Sequence, residues 1–231
     1  MSVIEDALTW LNDPLNWTLP GGILARTQEH LWISVLAVAL GCVIAWPIGV
    51  WLGHQGRGSG AVVSVANVTR AVPTVALLTI LPLTPIGFGV PAIVLSLAVF
   101  AIPPLLATAN LGVREVDAEV REAAKGMGLS GWQLLTKVEL PLAVPYLASG
   151  FRTAAVQVIA TATLAAFVNG GGLGMIISRG FGLSLASGGG QVLAGGLLVA
   201  ILCLLAEGLL AWAERLVTPR SLRARKLAAT T

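Results

Sequence analysis

The feature that most constrains this chain is an uncharged run of 22 residues, from Leu31 to Leu52. A helix of about 20 apolar residues crosses the roughly 30 Å hydrocarbon core of a bilayer. Two further runs, Ala71 to Val113 and Gly180 to Ala206, also lack charge, and the first is too long for a single span. Only 11% of the chain is charged, less than half of the roughly 25% found in soluble proteins. The sequence therefore predicts an all-α, polytopic membrane protein.

Five transmembrane helices are predicted, at residues 31–52, 62–83, 91–111, 143–168 and 192–213. The second must include Arg70, because residues 71–83 alone are too short to span a bilayer. The turn-rich segment PLTPIGFGVP separates the second span from the third. The predicted organisation is thus an N-terminal segment (1–30), a transmembrane domain (31–213) and a basic tail (214–231).

The distribution of basic residues predicts the orientation of the chain. With five spans, the first and third loops and the tail share one side and hold ten of the fourteen Lys and Arg residues. The other side holds two, and the remaining two lie within spans. Because basic loops stay on the cytoplasmic side, we expect a multi-pass membrane protein with its N-terminus outside and its C-terminus in the cytoplasm. A positive charge spread in this way indicates membrane topology and not binding to nucleic acid.

A polar segment between the third and fourth spans, residues 114–141, is predicted to be cytoplasmic. Its first part carries mixed charges and ends in the glycine-containing sequence KGMG, which is typical of a helix end. The sequence SGWQ that follows fits a capping box, with Ser130 and Gln133 capping a second short helix at 131–138. Trp132 and Leu135 would share an exposed face of that helix. We therefore expect a partner protein to cover Trp132 and Leu135, which would be its anchoring residues.

The same segment resembles a known family motif. Glu-Ala-Ala at 122–124, a glycine at 128 and VELP at 138–141 are similar to the EAA loop of bacterial ABC-importer permeases, with Val138 where isoleucine is commoner. In that family the loop forms coupling helices that insert into a groove on the ATP-binding subunit. The resemblance implies that six residues serve ATPase coupling: Glu122, Ala123, Ala124, Gly128, Leu140 and Pro141.

The resemblance covers most of the chain. Three longer segments are similar to the permeases of importers for glycine betaine, choline, carnitine and related osmoprotectants: EHLWISVLAVALGCVIAWPIGVWLGHQGRG, ANVTRAVPTVALLTILPL and RTAAVQVIATATLAAFVNGGGLG. It implies the type I importer fold of the methionine-permease kind, ATP-binding-cassette ATPase partners and an extracytoplasmic substrate-binding protein. Five spans are few to enclose a pathway, so we expect a second permease subunit. Small-residue patches place the seam between the two subunits at the fourth and fifth spans.

No catalytic site is predicted. The sequence lacks the G-x-x-x-x-G-K-[ST] pattern of a P-loop, so ATP would be bound by the partner and this chain would need no cofactor of its own. The glycine run NGGGLG at 169–174 follows a span instead of a strand and is interpreted as a flexible or re-entrant gate. His30 and His54 lie at opposite ends of the first span, too far apart to share a metal, and are interpreted as interfacial polar residues.

Six polar or charged residues within the spans are candidates for a role in transport. Arg70 and Arg152 are costly to bury and are functional candidates by default, although bonding to backbone carbonyls or reaching to the interface is the favoured interpretation. Gln157, Thr161, Thr163 and Asn169 give the fourth span a polar face suited to lining a pathway or packing on a partner.

Two alternatives to an osmoprotectant importer remain open on sequence. Related amino-acid and methionine permeases share much of the pattern, so the class of transporter is better supported than the solute. An ion-coupled secondary transporter would be expected to show an internal repeat and paired intramembrane acids; here Glu207 is the one acid within a predicted span, and no repeat is visible.

Overall fold

The computed structural model describes residues 2–56, 59–183 and 185–218, without the side chains of residues 59, 65, 70 and 185–187. Every regular element within these ranges is helical, which confirms the all-α prediction. Most of the predicted basic tail lies outside the described residues. The helices are α1 (Val3–Asn12), α2 (Pro14–Thr18), α3 (Ile23–His54), α4 (Ser59–Ala71), α5 (Thr74–Ile80), α6 (Val90–Arg114), α7 (Ala118–Gly126), α8 (Gly131–Leu134), α9 (Leu140–Thr161), α10 (Gly174–Phe181) and α11 (Leu185–Val217).

Four helical segments in the described part of the chain are long and apolar enough to cross a membrane: Pro14–His54, Val90–Arg114, Gly131–Val168 and Gly188–Val217. A fifth arises if the bent pair α4 and α5 is one span. The sequence predicted a single helix there, but the two halves differ in direction by 74°. Pro73 explains the bend, because proline lacks an N–H group and disfavours helical geometry at the preceding residue.

The core lies where α3, α6 and α9 pack together. Glycines on α3 allow the closest approach: a Cβ atom built on Gly41 would lie 2.8 Å from that of Ala101, and one built on Gly49 would lie 2.8 Å from that of Ala109. Gly150 of α9 approaches Thr108 of α6 in the same way. Small residues allow close approach of helices in membrane proteins. There the hydrophobic effect does not drive helices together, and close van der Waals packing stabilises their association instead.

The helix predicted at 131–138 does not stop at Pro141. Helical structure continues from Gly131 to Val168, and a π-helical turn at Leu135–Glu139 joins α8 to α9. Within this turn the Leu140 N–H donates to the carbonyl of Leu135, five residues back. Pro141 lies just after this turn, in the first turn of α9. The fourth transmembrane helix and the second short helix are therefore continuous.

Several of the small residues that the sequence assigned to a seam between two subunits are buried within this chain. Ala154, Ala155, Ala162 and Ala165 are buried in its own core. On α11, Gly195 packs against Ile177 of α10, whereas nothing lies near Gly196. Because the four alanines are covered by this chain itself, a second subunit would have to meet other residues of α9.

Candidate functional site

The segment 114–141 lies at the end of the bundle where α3, α6 and α11 finish and α9 begins. The first short helix of this segment does not include its first charged residues, because α6 ends at Arg114 and α7 begins only at Ala118. The Asp117 side chain caps α7 by accepting from the Glu119 N–H at 3.0 Å. At the other end Gly128 has φ +83°, and the Leu129 N–H donates to the Ala124 carbonyl. The predicted helix end at the glycines is confirmed.

The predicted capping box at the start of α8 is confirmed as well. The Ser130 hydroxyl accepts from the Gln133 N–H at 3.3 Å, and the Gln133 amide oxygen accepts from the Ser130 N–H at 2.9 Å. This reciprocal pair satisfies two backbone donors that would otherwise lack partners at the helix start. The turn from α7 to α8 is therefore determined by local chemistry.

Six exposed residues of this segment form what we call the loop surface, and three of them are large and apolar. The six are Val120, Glu122, Ala123, Met127, Gly128 and Trp132. Val120, Met127 and Trp132 are 42, 74 and 69% exposed. Val120, Ala123 and Met127 recur at the three- and four-residue spacing of one helix face. Val120 and Met127 did not emerge from the motif, although this spacing could have revealed them.

Leu135 does not belong to that surface, and the prediction that it is exposed beside Trp132 is wrong. It is 4% exposed and packs with Val113 and Ala143. Leu140 contacts the same cluster, and Ala124 is buried. Leu134, which precedes the π-turn, is buried as well, so this side of the helical segment faces the membrane helices. Of the eight predicted coupling residues, Glu122, Ala123, Gly128, Trp132 and Pro141 are exposed, whereas Ala124, Leu135 and Leu140 pack inward.

A buried ionic cluster behind the loop surface was missed by sequence reasoning. Glu139 is 1% exposed, and its Oε2 atom lies 2.5 Å from His54 Nδ1 at the end of α3. Its other oxygen, Oε1, lies 3.3 Å from Arg121 Nε of α7, an ion-pair distance without hydrogen-bond alignment. The Arg121 guanidinium also donates to the Val113 carbonyl near the end of α6. His54 is thus part of this cluster and not an isolated interfacial residue.

The four predicted pathway residues do not form one polar site. Thr161 donates to the Gln157 carbonyl at 2.6 Å and Thr163 to the Ala160 carbonyl at 2.8 Å, so both hydroxyls are used within their own helix. Gln157 is exposed together with Thr153, one turn earlier on α9. Asn169 is also exposed, but it ends the helical segment in a left-handed conformation with φ +54°. The exposed polar face of α9 therefore consists of Thr153 and Gln157.

Of the two intramembrane arginines, the structure describes the side chain of Arg152 but not that of Arg70. Arg152 Nε lies 3.2 Å from Glu207 Oε1, and its NH1 atom lies 2.7 Å from Glu214 Oε2. These pairs connect α9 to α11, so Arg152 binds two carboxylates. The sequence favours bonding to backbone carbonyls or reaching to the interface, and the ion pairs replace the first of these two interpretations. The Arg70 side chain lies outside the described residues.

The NGGGLG segment, interpreted from the sequence as a flexible or re-entrant gate, forms a chain reversal that is hydrogen-bonded to α3. The Glu29 carboxylate accepts from the Gly172 N–H at 2.9 Å, and His30 Nδ1 accepts from the Leu173 N–H at 3.2 Å. His30 is 1% exposed, and its Nε2 atom lies 2.8 Å from the Ile159 carbonyl. The two α3 residues thus anchor a reversal of the chain that brings Gly174 against Thr163. His30 is a buried structural residue.

Comparison with known families places most of this chain in one of them. Residues 27–219 match the family described as "Binding-protein-dependent transport system inner membrane component".

Curated relatives match along nearly their whole length. The glycine betaine/carnitine/choline transport system permease protein of Bacillus subtilis is 39% identical over 89% of this chain and 93% of its own. The choline transport system permease protein of the same organism is 37% identical over the same shares of the two chains. A carnitine transport permease protein of Listeria monocytogenes is 37% identical over 85% of this chain and 87% of its own.

Among solved structures, the fold is similar to that of the MetNI methionine ABC transporter in inward-facing conformations. The TM-score is 0.73 at 24% identity, covering 90% of this chain and 100% of the matched chain. At this identity the match establishes a shared fold, and it confirms the expected importer architecture.

Proposed function

Because this chain belongs to the family of inner-membrane components of binding-protein-dependent transport systems, we propose that it is the permease subunit of an ATP-driven importer of osmoprotectants. The proposed solutes are small quaternary ammonium compounds such as glycine betaine, choline or carnitine. The observation that carries this proposal is the 37–39% identity to permeases named for these solutes, across 85–89% of the chain. The methionine transporter, in contrast, is related at 24% identity.

The ATPase partner would bind the loop surface. Exposed Val120, Met127 and Trp132 supply the apolar and aromatic area that dominates binding energy at interfaces. Ala123 and Gly128 allow close approach, and no ion pair of Glu122 is found among the described residues, which leaves its carboxylate available to a basic residue. ATP hydrolysis itself would belong to the partner, since this sequence contains no P-loop. We propose no catalytic residue, resident cofactor or metal in this chain.

A second permease subunit would complete the pathway. Thr153 and Gln157 are polar and exposed on a membrane helix, which is costly against lipid tails unless protein or water covers them. Two copies, or two homologous permeases, facing each other at α9 would bring these residues toward a shared axis. We propose Thr153 and Gln157 as lining residues of that pathway. Thr161 and Thr163, whose hydroxyls bond within their own helix, and Asn169 stay sequence-based predictions.

The orientation that suits this function has the N-terminus outside and the loop surface in the cytoplasm. Ten of the fourteen basic residues then lie on the cytoplasmic side, as the positive-inside bias requires. An extracytoplasmic binding protein would deliver the solute at the opposite end, near α1, α2 and α10. If that protein selects the solute, this chain does not need an aromatic cage of the kind that binds quaternary ammonium groups.

The test is reconstitution of the complete complex in proteoliposomes, with the binding protein added. We expect ATP hydrolysis and solute uptake to be stimulated by at least one of glycine betaine, choline and carnitine. Stimulation by methionine alone would indicate the amino-acid alternative. Uptake driven by an ion gradient without ATP would contradict an ATP-driven importer and favour a secondary transporter.

A further inference from the structure

The buried Glu139 carboxylate has no role in the transport proposal so far. It occupies the variable position of the VELP sequence, so the EAA resemblance assigns it nothing. A buried carboxylate is costly unless cations and hydrogen bonds compensate it, and here His54 and Arg121 do so. A hydrogen bond to an ionised carboxylate requires the proton on His54 Nδ1.

The cluster connects the loop to the membrane helices at one point. His54 is the last residue of α3, Arg121 lies in the middle of α7, and Glu139 ends the π-turn that leads into α9. Through its bond to the Val113 carbonyl, Arg121 also contacts α6. The Glu139 carboxylate therefore lies between the helix that carries the EAA sequence and the three helices that form the core.

The start of α8 is close to the same cluster. A Cβ atom built on Gly131 would lie 3.7 Å from His54 Nε2. A displacement of α7 would change the Arg121–Glu139 distance, and a displacement of α8 toward α3 would bring Gly131 closer to the His54 ring. Both displacements act on the end of α3. The hydrogen bond between His54 and Glu139 depends on both distance and direction, so a shift of either residue weakens it.

We propose that Glu139 is a positioning residue that couples movement of α7 and α8 to the core helices, with His54 and Arg121 as its two partners. The inference rests on the proposed function, since it assumes that an ATPase moves the loop surface. Glu139 itself is buried beneath that surface and does not contact the ATPase. Its loss should therefore disturb transmission while leaving ATPase binding intact.

The experiment measures solute uptake per ATP hydrolysed in proteoliposomes containing the complete complex, using whichever of glycine betaine, choline and carnitine best stimulates the wild type. Glu139→Gln keeps the size of the side chain and removes its charge. His54→Ala removes one partner and leaves the Arg121–Glu139 pair. In both variants we expect normal co-purification of the ATPase and a fall in uptake per ATP of about fivefold or more, the usual lower range of coupling between sites.

Glu214→Gln is the matched control, because it breaks an ion pair of similar length between α9 and α11 that lies outside the cluster. We expect it to lower thermal stability in detergent and to leave uptake per ATP unchanged. If Glu139→Gln does not fold, His54→Ala decides the question with the same control.

Three results would overturn the inference. These are wild-type uptake per ATP in the folded cluster variants, loss of ATPase co-purification in them, and an equal fall in the Glu214→Gln control. A wild-type complex that takes up none of the three solutes would overturn the proposed function and the inference with it. Coupled uptake by the wild type together with unchanged variants would overturn the inference alone.

Discussion

At the scale of single residues, Trp132 and Leu135 show how neighbouring apolar side chains come to have different roles. Both lie on the short helical segment after the capping box, three residues apart. Trp132 is 69% exposed, whereas Leu135 is 4% exposed. Leu135, like the adjacent Leu134, lies on the side of the segment that faces the bundle, and it packs with Val113 and Ala143. Only Trp132 remains available to a partner.

The two residues should therefore respond differently to truncation. Trp132→Ala should lower affinity for the ATPase by about 30-fold or more, since interface hot spots are worth about 2 kcal/mol or more, with little change in stability. Leu135→Ala leaves a cavity and should cost about 2–5 kcal/mol of stability. Thermal unfolding in detergent and ATPase pull-down, measured on both variants, distinguish the two roles. Equal loss of pull-down in two equally stable variants would contradict the division.

At the scale of elements, the turn between α7 and α8 depends on one glycine. Gly128 has φ +83°, a conformation that costs a residue with a Cβ atom about 1–2 kcal/mol. Apart from the residues next to it in sequence, no described atom lies within 4 Å of a Cβ atom built there. Because this chain leaves open space at that position, a further cost of a large side chain would indicate a partner.

Three substitutions at Gly128 separate the backbone from the partner. Gly128→Asn should be tolerated best in this chain, because asparagine adopts left-handed geometry readily. Gly128→Ala and Gly128→Leu share the backbone penalty, so a greater loss of ATPase binding in the leucine variant measures close approach of the partner. Binding titrations with the purified ATPase provide the comparison. Indistinguishable alanine and leucine variants would show that the ATPase does not closely approach this turn.

At the scale of the whole molecule, the chain has two chemically distinct ends. One end contains α1, α2, α10 and the anchored glycine segment, where Glu29 and His30 accept backbone N–H groups. The other contains the loop surface and the Glu139 cluster. Core packing of α3, α6 and α9 joins the two. This arrangement suits a subunit that meets a binding protein at one end and an ATPase at the other.

The orientation of these ends can be tested by cysteine labelling in intact cells. In a background with Cys42 and Cys203 replaced by alanine, a membrane-impermeant maleimide should label Leu183→Cys, which is 52% exposed near α10. It should spare Met127→Cys, which is 74% exposed on the loop surface. Labelling of both after the membrane is permeabilised is the control for reactivity. The opposite pattern in intact cells would place the loop surface outside and exclude ATPase docking there.

What the sequence determined by itself is local or compositional. Long uncharged runs identified a membrane protein, because the bilayer thickness alone sets how many apolar residues a helix needs. The helix end before Gly128 and the capping box at Ser130 were predicted correctly, since each depends on atoms within about one helical turn. The EAA resemblance identified the family for the same reason: it depends on the order of residues and not on their positions in space.

The tertiary structure alone decided which of these residues face a partner and which face the core. Glu139 meets His54 across 85 positions of sequence, and Arg152 meets Glu214 across 62; neither pair follows from any local pattern. The same holds for His30 and the glycine segment, 143 positions apart. Such contacts depend on how the helices pack, and the glycines of α3 allow its close approach to α6. Contact between helices, and not spacing along the sequence, determines which side chains share a buried space.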